Sequence, residues 1–498
     1  MAAVLLRSSS LISAPRASFD EDTFILVAQR LARGELPFTT TFENKPPLFS
    51  VLPAIPQLFA PESRLAVRVA LTVVILLTGF AVAVSVRRAT GSVLGGGASG
   101  LALVGFSALA PSGQAWMSQH SANFWLAILL LLCWPRGTAT RARSPFLVGV
   151  VAGVLVLTRT NYVIPATVLL LLDLAWRPAG GRFGVFARVV AGGASVAGIV
   201  AAAYGLVGEL PALLAGALDV LVAEGGQGDV RSTLRPLPGW LMSTVGLFAV
   251  VSVAALPGAA GRPKPALRLW WSGVALAASI GVSVLLHRSI FSHYLLMFGV
   301  PVAILSGLVV HAVLQGIGVP GQPRLVRRGL TVITLRVALP LAAAGALAGP
   351  AGLQPTRLIP AVGTSEASED RALVDALRGF LEQSPGSVWA LSDHFVYWRT
   401  GTLPPHPLVT HPSSLTKSEF WSSVPLDASA RPQTTRQAID LILATRPRYV
   451  VSTEHLDEWY LDPFPEERAH LRERLAGDYR VVWRSNGDMA IRERLPEP

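Results

Sequence analysis

The sequence predicts a polytopic α-helical membrane protein of about ten spans that ends in a small α/β domain. Three observations carry this. Of 498 residues, 51% are hydrophobic and 15% are charged, where a soluble domain carries roughly 25% charged residues. The long apolar runs are confined to residues 64–349, and 351–498 has the mixed pattern of a soluble domain. Finally, basic residues fall in every second connection between the apolar runs.

Residues 1–18 read as a truncated or vestigial N-terminal segment. MAAVLL is too short to span, since a crossing helix needs about 20 apolar residues. Arg7 and the serines interrupt it, and the long apolar core and cleavage site of a signal peptide are missing. Either the chain begins near the outer surface, or a first spanning helix is absent from this reading frame.

Residues 19–63 form the first outer loop. It opens on Asp20, Glu21 and Asp22. Phe24, Val27, Ala28 and Leu31 then fall on one face of a short helix, which Gly34 stops. Glu43, Asn44 and Lys45 follow, and Pro46 and Pro47 hold the lysine in extended backbone. The segment 46–60 is too short and Pro-rich to span and reads as an interfacial or re-entrant helix.

Spans are expected near 64–86, 92–110, 118–134, 145–159, 161–176, 185–206, 238–257, 267–286, 294–315 and 329–349, giving a transmembrane domain over 64–350. One set of connections holds Arg87, Arg88, Arg136, Arg141, Arg143, Arg177, Arg182, Arg188, Arg262, Lys264, Arg268, Arg324, Arg327 and Arg328 without an acid. The other set holds Glu209, Asp219, Glu224 and Asp229. Basic loops face the cytoplasm, so 20–63, 207–237, 287–293 and the domain 351–498 are extracytoplasmic. The formal charge of +11 is thereby a topology signal, and no nucleic-acid partner is implied. The high Ala, Gly, Val and Arg content suits a GC-rich bacterial genome, and the expected location is a bacterial inner (plasma) membrane. The single cysteine, Cys133, forms no disulfide within the chain and leaves the redox compartment undecided.

After the linker GPAGLQP, Ser368 is placed to cap a helix lined by Leu373, Ala376, Leu377 and Phe380. SVWALS and RYVVST read as strands, and TTRQAIDLILATRP as a helix between them. YRVVWRS and MAIRE read as a hairpin around Asn486-Gly487. No metal-spaced His/Cys cluster, phosphate loop or nucleophile triad is visible here.

The chemistry-bearing residues lie at outer connections. Three acids at a helix start also favour the helix dipole, but carboxylates beside the membrane can take a proton from a hydroxyl or hold a divalent cation. Lysine suits phosphate. His287, Arg288, His293 and Tyr294 share one short loop; they serve either as an interfacial anchor or as contacts to a phosphate leaving group. Arg159, with Asn161, sits between two apolar runs, where an arginine either snorkels or lines a wet site. Gln114, Gln119 and His120 lie in another outer connection. Trp116, Trp125, Trp134, Trp270 and Trp271 suit the aromatic belt.

Asp20-Glu21, the short helix, Gly34 and Lys45-Pro46-Pro47-Leu48 together resemble the first outer loop of polytopic glycosyltransferases of the GT-C fold. The group meant is that of the protein O-mannosyltransferases and lipid A aminoarabinose transferases. GVVAGVLVLTRTNYVIPATVLLLL resembles that family's Gly-rich span and lysine-bearing turn, with Arg159 near the usual lysine. FSHYLLMFGVP resembles its His-Tyr segment. The resemblance covers residue 20 to about 310.

It implies transfer of a hexose or pentose from a polyprenyl-phosphate donor to a lipid, glycan or protein acceptor at the extracytoplasmic face. On that pattern Asp20 acts at the acceptor or through a divalent cation, with Glu43 as a further metal ligand. Glu21 is its neighbouring acid, and Lys45 meets the donor phosphate beside Arg159 and Arg288. The chain departs from the pattern in lacking a spanning helix before Asp20, and in Asn44 separating Glu43 from Lys45. The competing readings are a transporter or flippase of a lipid-linked or anionic substrate, and an inactive scaffold. Against transport, no internal repeat of broken spans is visible.

Overall fold

The computed structural model describes residues 6–8, 11, 19–41, 45–110, 112–133, 144–216, 264–286, 292–318, 365–418, 421, 431–453, 455–456, 458–485 and 488–496. The chain divides into two compact units. One gathers Met1–Ser9, Leu71–Val200 and Gly228–Ile359, and the other Ser10–Ala70, Ala201–Gln227 and Pro360–Pro498.

The protein is a polytopic helical membrane protein. In chain order the helices are α1 (Phe19–Ala32), α2 (Val51–Phe59), α3 (Arg64–Thr90), α4 (Val93–Leu109), α5 (Ser118–Cys133), α6 (Pro145–Thr158), α7 (Val163–Ala175), α8 (Arg182–Leu206), α9 (Leu210–Leu214), α10 (Lys264–Leu286) and α11 (Gly299–Gly318). Four stretches among the described residues are long and apolar enough to cross a membrane: Arg64–Thr90, Arg182–Leu206, Pro265–Leu286 and His293–Leu314. The expected spans at 92–110, 118–134, 145–159 and 161–176 are apolar helices of at most 17 residues, and those at 238–257 and 329–349 lie outside the described residues.

In the first unit α4 packs against α11, and α10 against α7 and α11. The α4–α11 approach is set by two glycines. A Cβ on Gly307 would stand 2.6 Å from the carbonyl oxygen of Gly95, so only glycine fits, the close packing that small residues allow between membrane helices. Arg7 is fully buried. It donates to the carbonyls of Gly113 (2.9 Å) and Gln114 (3.2 Å) and to Thr72 Oγ1 (3.3 Å), satisfying a guanidinium whose burial is otherwise costly.

The second unit holds α1. The apolar face expected of it is present, but the helix is not amphipathic in its setting. Every residue from Glu21 to Gln29 is buried, because its polar side is covered by partners distant in sequence. Gly34, at φ +89°, ends the α1 turn as expected, a conformation that glycine adopts without penalty. Residues 46–60 begin with Pro46 in polyproline geometry (φ −58°, ψ 154°) and a 3-10 turn at Pro47–Ser50. This runs into α2, which leaves Val51, Ile55, Leu58 and Phe59 exposed on one side.

The same unit contains α12 (Ser365–Gln383), β1 (Val388–Ala390), α13 (Phe395–Thr400), α14 (Thr435–Ala444), β2 (Tyr449–Thr453), α15 (Pro465–Asp478), β3 (Tyr479–Arg484) and β4 (Met489–Arg494). The sheet order is β1-β2-β4-β3. β1 and β2 run parallel, and β4 is antiparallel to both β2 and β3. Ser368 is not the cap of α12, since the helix already begins at Ser365. Asn486 and Gly487 lie outside the described residues.

Beside the sheet, Glu458 is buried and accepts from Ser392 Oγ and the Thr453 N–H. Burial pushes its carboxyl up to about 7, against the pull of those hydrogen bonds. Below about pH 3.5, folded and unfolded chains both keep the proton. As pH rises, the unfolded chain ionises first, so folding loses about 3 kcal/mol of stability by pH 7 and above. Glu458→Gln should therefore raise the thermal midpoint at pH 8, with the gain shrinking toward zero below about pH 3.5. Thermal unfolding of both proteins across that range checks it.

Candidate active site

The three acids of α1 have different surroundings. Glu21 is 1% exposed and forms an ion pair with fully buried Arg68. Asp22, 2% exposed, pairs with Arg64 at 2.9 Å and accepts from the Trp398 indole N–H at 3.3 Å. Arg64 also reaches Asp370 at 3.6 Å and lies over the Trp398 ring. Asp20 is 31% exposed, and its Oδ1 lies 2.9 Å from His411 Nε2. So two of the acids are neutralised in the interior, and the third stands at the surface of the helix N-terminus, where the dipole favours its charge.

His411 belongs to a loop that the sequence reading passed over. Its Nδ1 accepts from the Ser413 N–H at 3.2 Å and faces the Ser413 hydroxyl at 2.9 Å. With Nδ1 accepting, the ring N–H is that of Nε2, aimed at Asp20. The available signal was a repeated dipeptide. His406-Pro407 and His411-Pro412 each start a 3-10 turn, and each histidine side chain accepts the N–H two residues on. Neighbouring contacts fasten the loop: Thr23 Oγ1 donates to the Thr410 carbonyl at 3.4 Å, and His394 Nδ1 meets the same oxygen at 2.8 Å. Burial drives His394 down to about 3, with repulsion from His411 adding to the effect, so it stays neutral.

Lys45 Nζ sits 5.8 Å from the centroid of the Phe24 ring, and Phe24 packs edge-on against Phe49 of the Pro47–Ser50 turn. Asp20 and Phe24, four residues apart, share a helix face. The lysine is thus held one turn along the face that carries Asp20. Glu43 lies outside the described residues.

The first unit gathers a second set. Arg159 is 3% exposed, at the junction of α6 and the 3-10 turn Thr160–Tyr162. It donates to Ser118 Oγ and lies over the Tyr294 ring, 5.2 Å from its centroid. His293 packs edge-on to Tyr294. Asn123 accepts from Tyr162 OH at 2.9 Å and donates to the Leu296 carbonyl at 2.7 Å. Arg159 Nε, both amide atoms of Gln119 and Asn161 Nδ2 are buried without hydrogen-bond partners among the described residues, the signature of groups that a polar ligand or water satisfies. His120 is buried in the first turn of α5. Gln114 is turned to other work, donating to the carbonyls of Leu6 and Ala108. His287 and Arg288 lie outside the described residues.

Among the described residues, no three His, Cys, Asp or Glu side chains gather as a metal site. Glu43, the expected partner of Asp20 on a divalent cation, is not among them.

The fold that these elements build is the GT-C fold of polytopic membrane glycosyltransferases, as the first-loop motif implied. The chain superposes on ArnT from Cupriavidus metallidurans bound to undecaprenyl phosphate with a TM-score of 0.60 and 15% identity, over 99% of this chain and 96% of that one. The apo state of that protein gives 0.54. The apo oligosaccharyltransferase of Archaeoglobus fulgidus gives 0.51 at 14% identity, over 98% of this chain and 73% of that one. No family model matches the sequence, and no curated protein matches it.

Proposed function

We propose that this protein is a membrane glycosyltransferase that moves a sugar from a polyprenyl-phosphate donor to a hydroxyl or phosphate acceptor on the extracytoplasmic side. The observation that carries the reading is the sorting of the three acids of α1: two are engaged in buried ion pairs, while Asp20 stays accessible and oriented. That is the arrangement a general base needs. The superposition on a protein bound to undecaprenyl phosphate supports the donor class.

In this reading Asp20 takes the acceptor proton. Glu21 and Asp22 hold α1 in place. Lys45 is the cation for the leaving phosphate, and Arg159 and Arg288 are the further phosphate-binding cations expected from sequence. His120, His293 and Tyr294 support Arg159. Such charges stabilise a developing anion most in a site from which water is excluded. The chain crosses a bacterial inner membrane about ten times, with the C-terminal domain outside. The acceptor is a lipid, glycan or protein.

The test is release of polyprenyl phosphate by purified protein in detergent, from a panel of polyprenyl-phosphate sugars, with and without a divalent cation. Release from one donor establishes the class and identifies the sugar; no release from any donor sinks the reading. A lysine–phosphate hydrogen bond is worth roughly 1.5–3 kcal/mol. Lys45→Ala should therefore raise the KM for the donor about tenfold or more, with Lys45→Arg recovering part of it. An unchanged donor KM would remove Lys45 from the phosphate site.

A further inference from the structure

We propose that His411 is a positioning residue for sugar transfer, fixing the plane of the Asp20 carboxylate so that the acceptor hydroxyl meets it in one orientation. The inference rests on Asp20 being the base.

The imidazole is anchored at both ends. Ser413 holds Nδ1 through its N–H and hydroxyl, and Nε2 lies 2.9 Å from Asp20 Oδ1. Its backbone is extended (φ −113°, ψ 135°), as the following Pro412 requires. The turn Pro412–Leu415 is braced by Trp421, whose indole N–H donates to the Ser414 carbonyl at 3.0 Å. By contrast, an aspartate's terminal torsion is broad and takes its direction from its partners. A ring fixed in this way restricts it. The Thr23 hydroxyl lies 3.4 Å from both the Phe19 and the Thr410 carbonyl oxygens, which places the residue before His411 against the same helix.

In the step itself, the acceptor oxygen forms a bond to the anomeric carbon. The bond from that carbon to the phosphate oxygen breaks, and its electron pair leaves on polyprenyl phosphate. The acceptor proton passes to the Asp20 carboxylate. His411 keeps its own proton throughout, so its part is orientation and not proton transfer.

The test compares His411→Ala, His411→Gln, Asp20→Asn and the Asp20→Asn/His411→Ala pair in the full-length protein, by polyprenyl phosphate release. A small misplacement of a reacting group costs up to about 10²-fold. His411→Ala is expected to lower kcat by about 10- to 100-fold with the donor KM within about twofold. His411→Gln, whose amide N–H replaces the Nε2–H, should recover most of the loss. If His411 acts through Asp20, its removal adds nothing in the Asp20→Asn background. A His411→Ala protein with unchanged kcat, or a loss that adds in full to that of Asp20→Asn, overturns the proposal. Wild-type protein that releases nothing from any donor overturns the transfer reading, and this one with it; active wild type beside fully active His411→Ala overturns this one alone.

Discussion

Asp20→Asn is expected to reduce transfer by about 10²- to 10⁴-fold, the range over which a positioned general base contributes, while the protein is produced and folded at wild-type levels. Asparagine keeps a carbonyl oxygen where Oδ1 stands, so the His411 N–H still has an acceptor. It removes only the capacity to take a proton. Asp20 is 31% exposed, and an exposed charge contributes little to stability, so the thermal midpoint should stay close to wild type. Measuring turnover and thermal unfolding on one preparation separates chemistry from folding. Transfer that persists unchanged in a well-folded variant would remove Asp20 from the mechanism.

The run Asp20-Glu21-Asp22 stands out in the sequence as a candidate site, but the different surroundings of its three acids do not. The deciding partners are remote: Arg68 is 47 positions from Glu21, Trp398 is 376 from Asp22, and His411 is 391 from Asp20. Helical periodicity reports the apolar face of α1 correctly and is blind to this. A carboxylate covered by an arginine from another helix looks, in sequence, like a solvated one. Gly34 was legible because the signal is local, a residue type that suits left-handed backbone.

The Lys45-Pro46-Pro47 turn was legible for the same reason, whereas the seat of the lysine over Phe24 depends on how the turn packs back onto α1. Arg159 and Tyr294 were each singled out in separate connections. Their stacking is a tertiary fact that no spacing encodes. The His411-Pro412 dipeptide marks a turn in the sequence, but what the second ring nitrogen touches is a tertiary fact.

Breaking the Glu21–Arg68 pair should injure the protein through stability, the second large effect expected. Both side chains are essentially without solvent, at 1% and 0% exposed. Removing one partner of such a pair leaves an uncompensated buried charge, which costs about 3–5 kcal/mol. Glu21→Ala and Arg68→Ala should each lose yield and thermal stability, and lose transfer in proportion to the folded protein that remains. The double replacement Glu21→Leu/Arg68→Met removes both charges together. Apolar substitutes for a buried pair are often neutral, so the double variant should recover most of the stability that either single variant loses. Specific activity per folded molecule then decides the role of Glu21. If the stable double variant transfers sugar at close to the wild-type rate, Glu21 serves to seat the helix that carries Asp20. If it folds well and is inactive, the carboxylate takes part in the chemistry, and the active acid is a pair and not Asp20 alone.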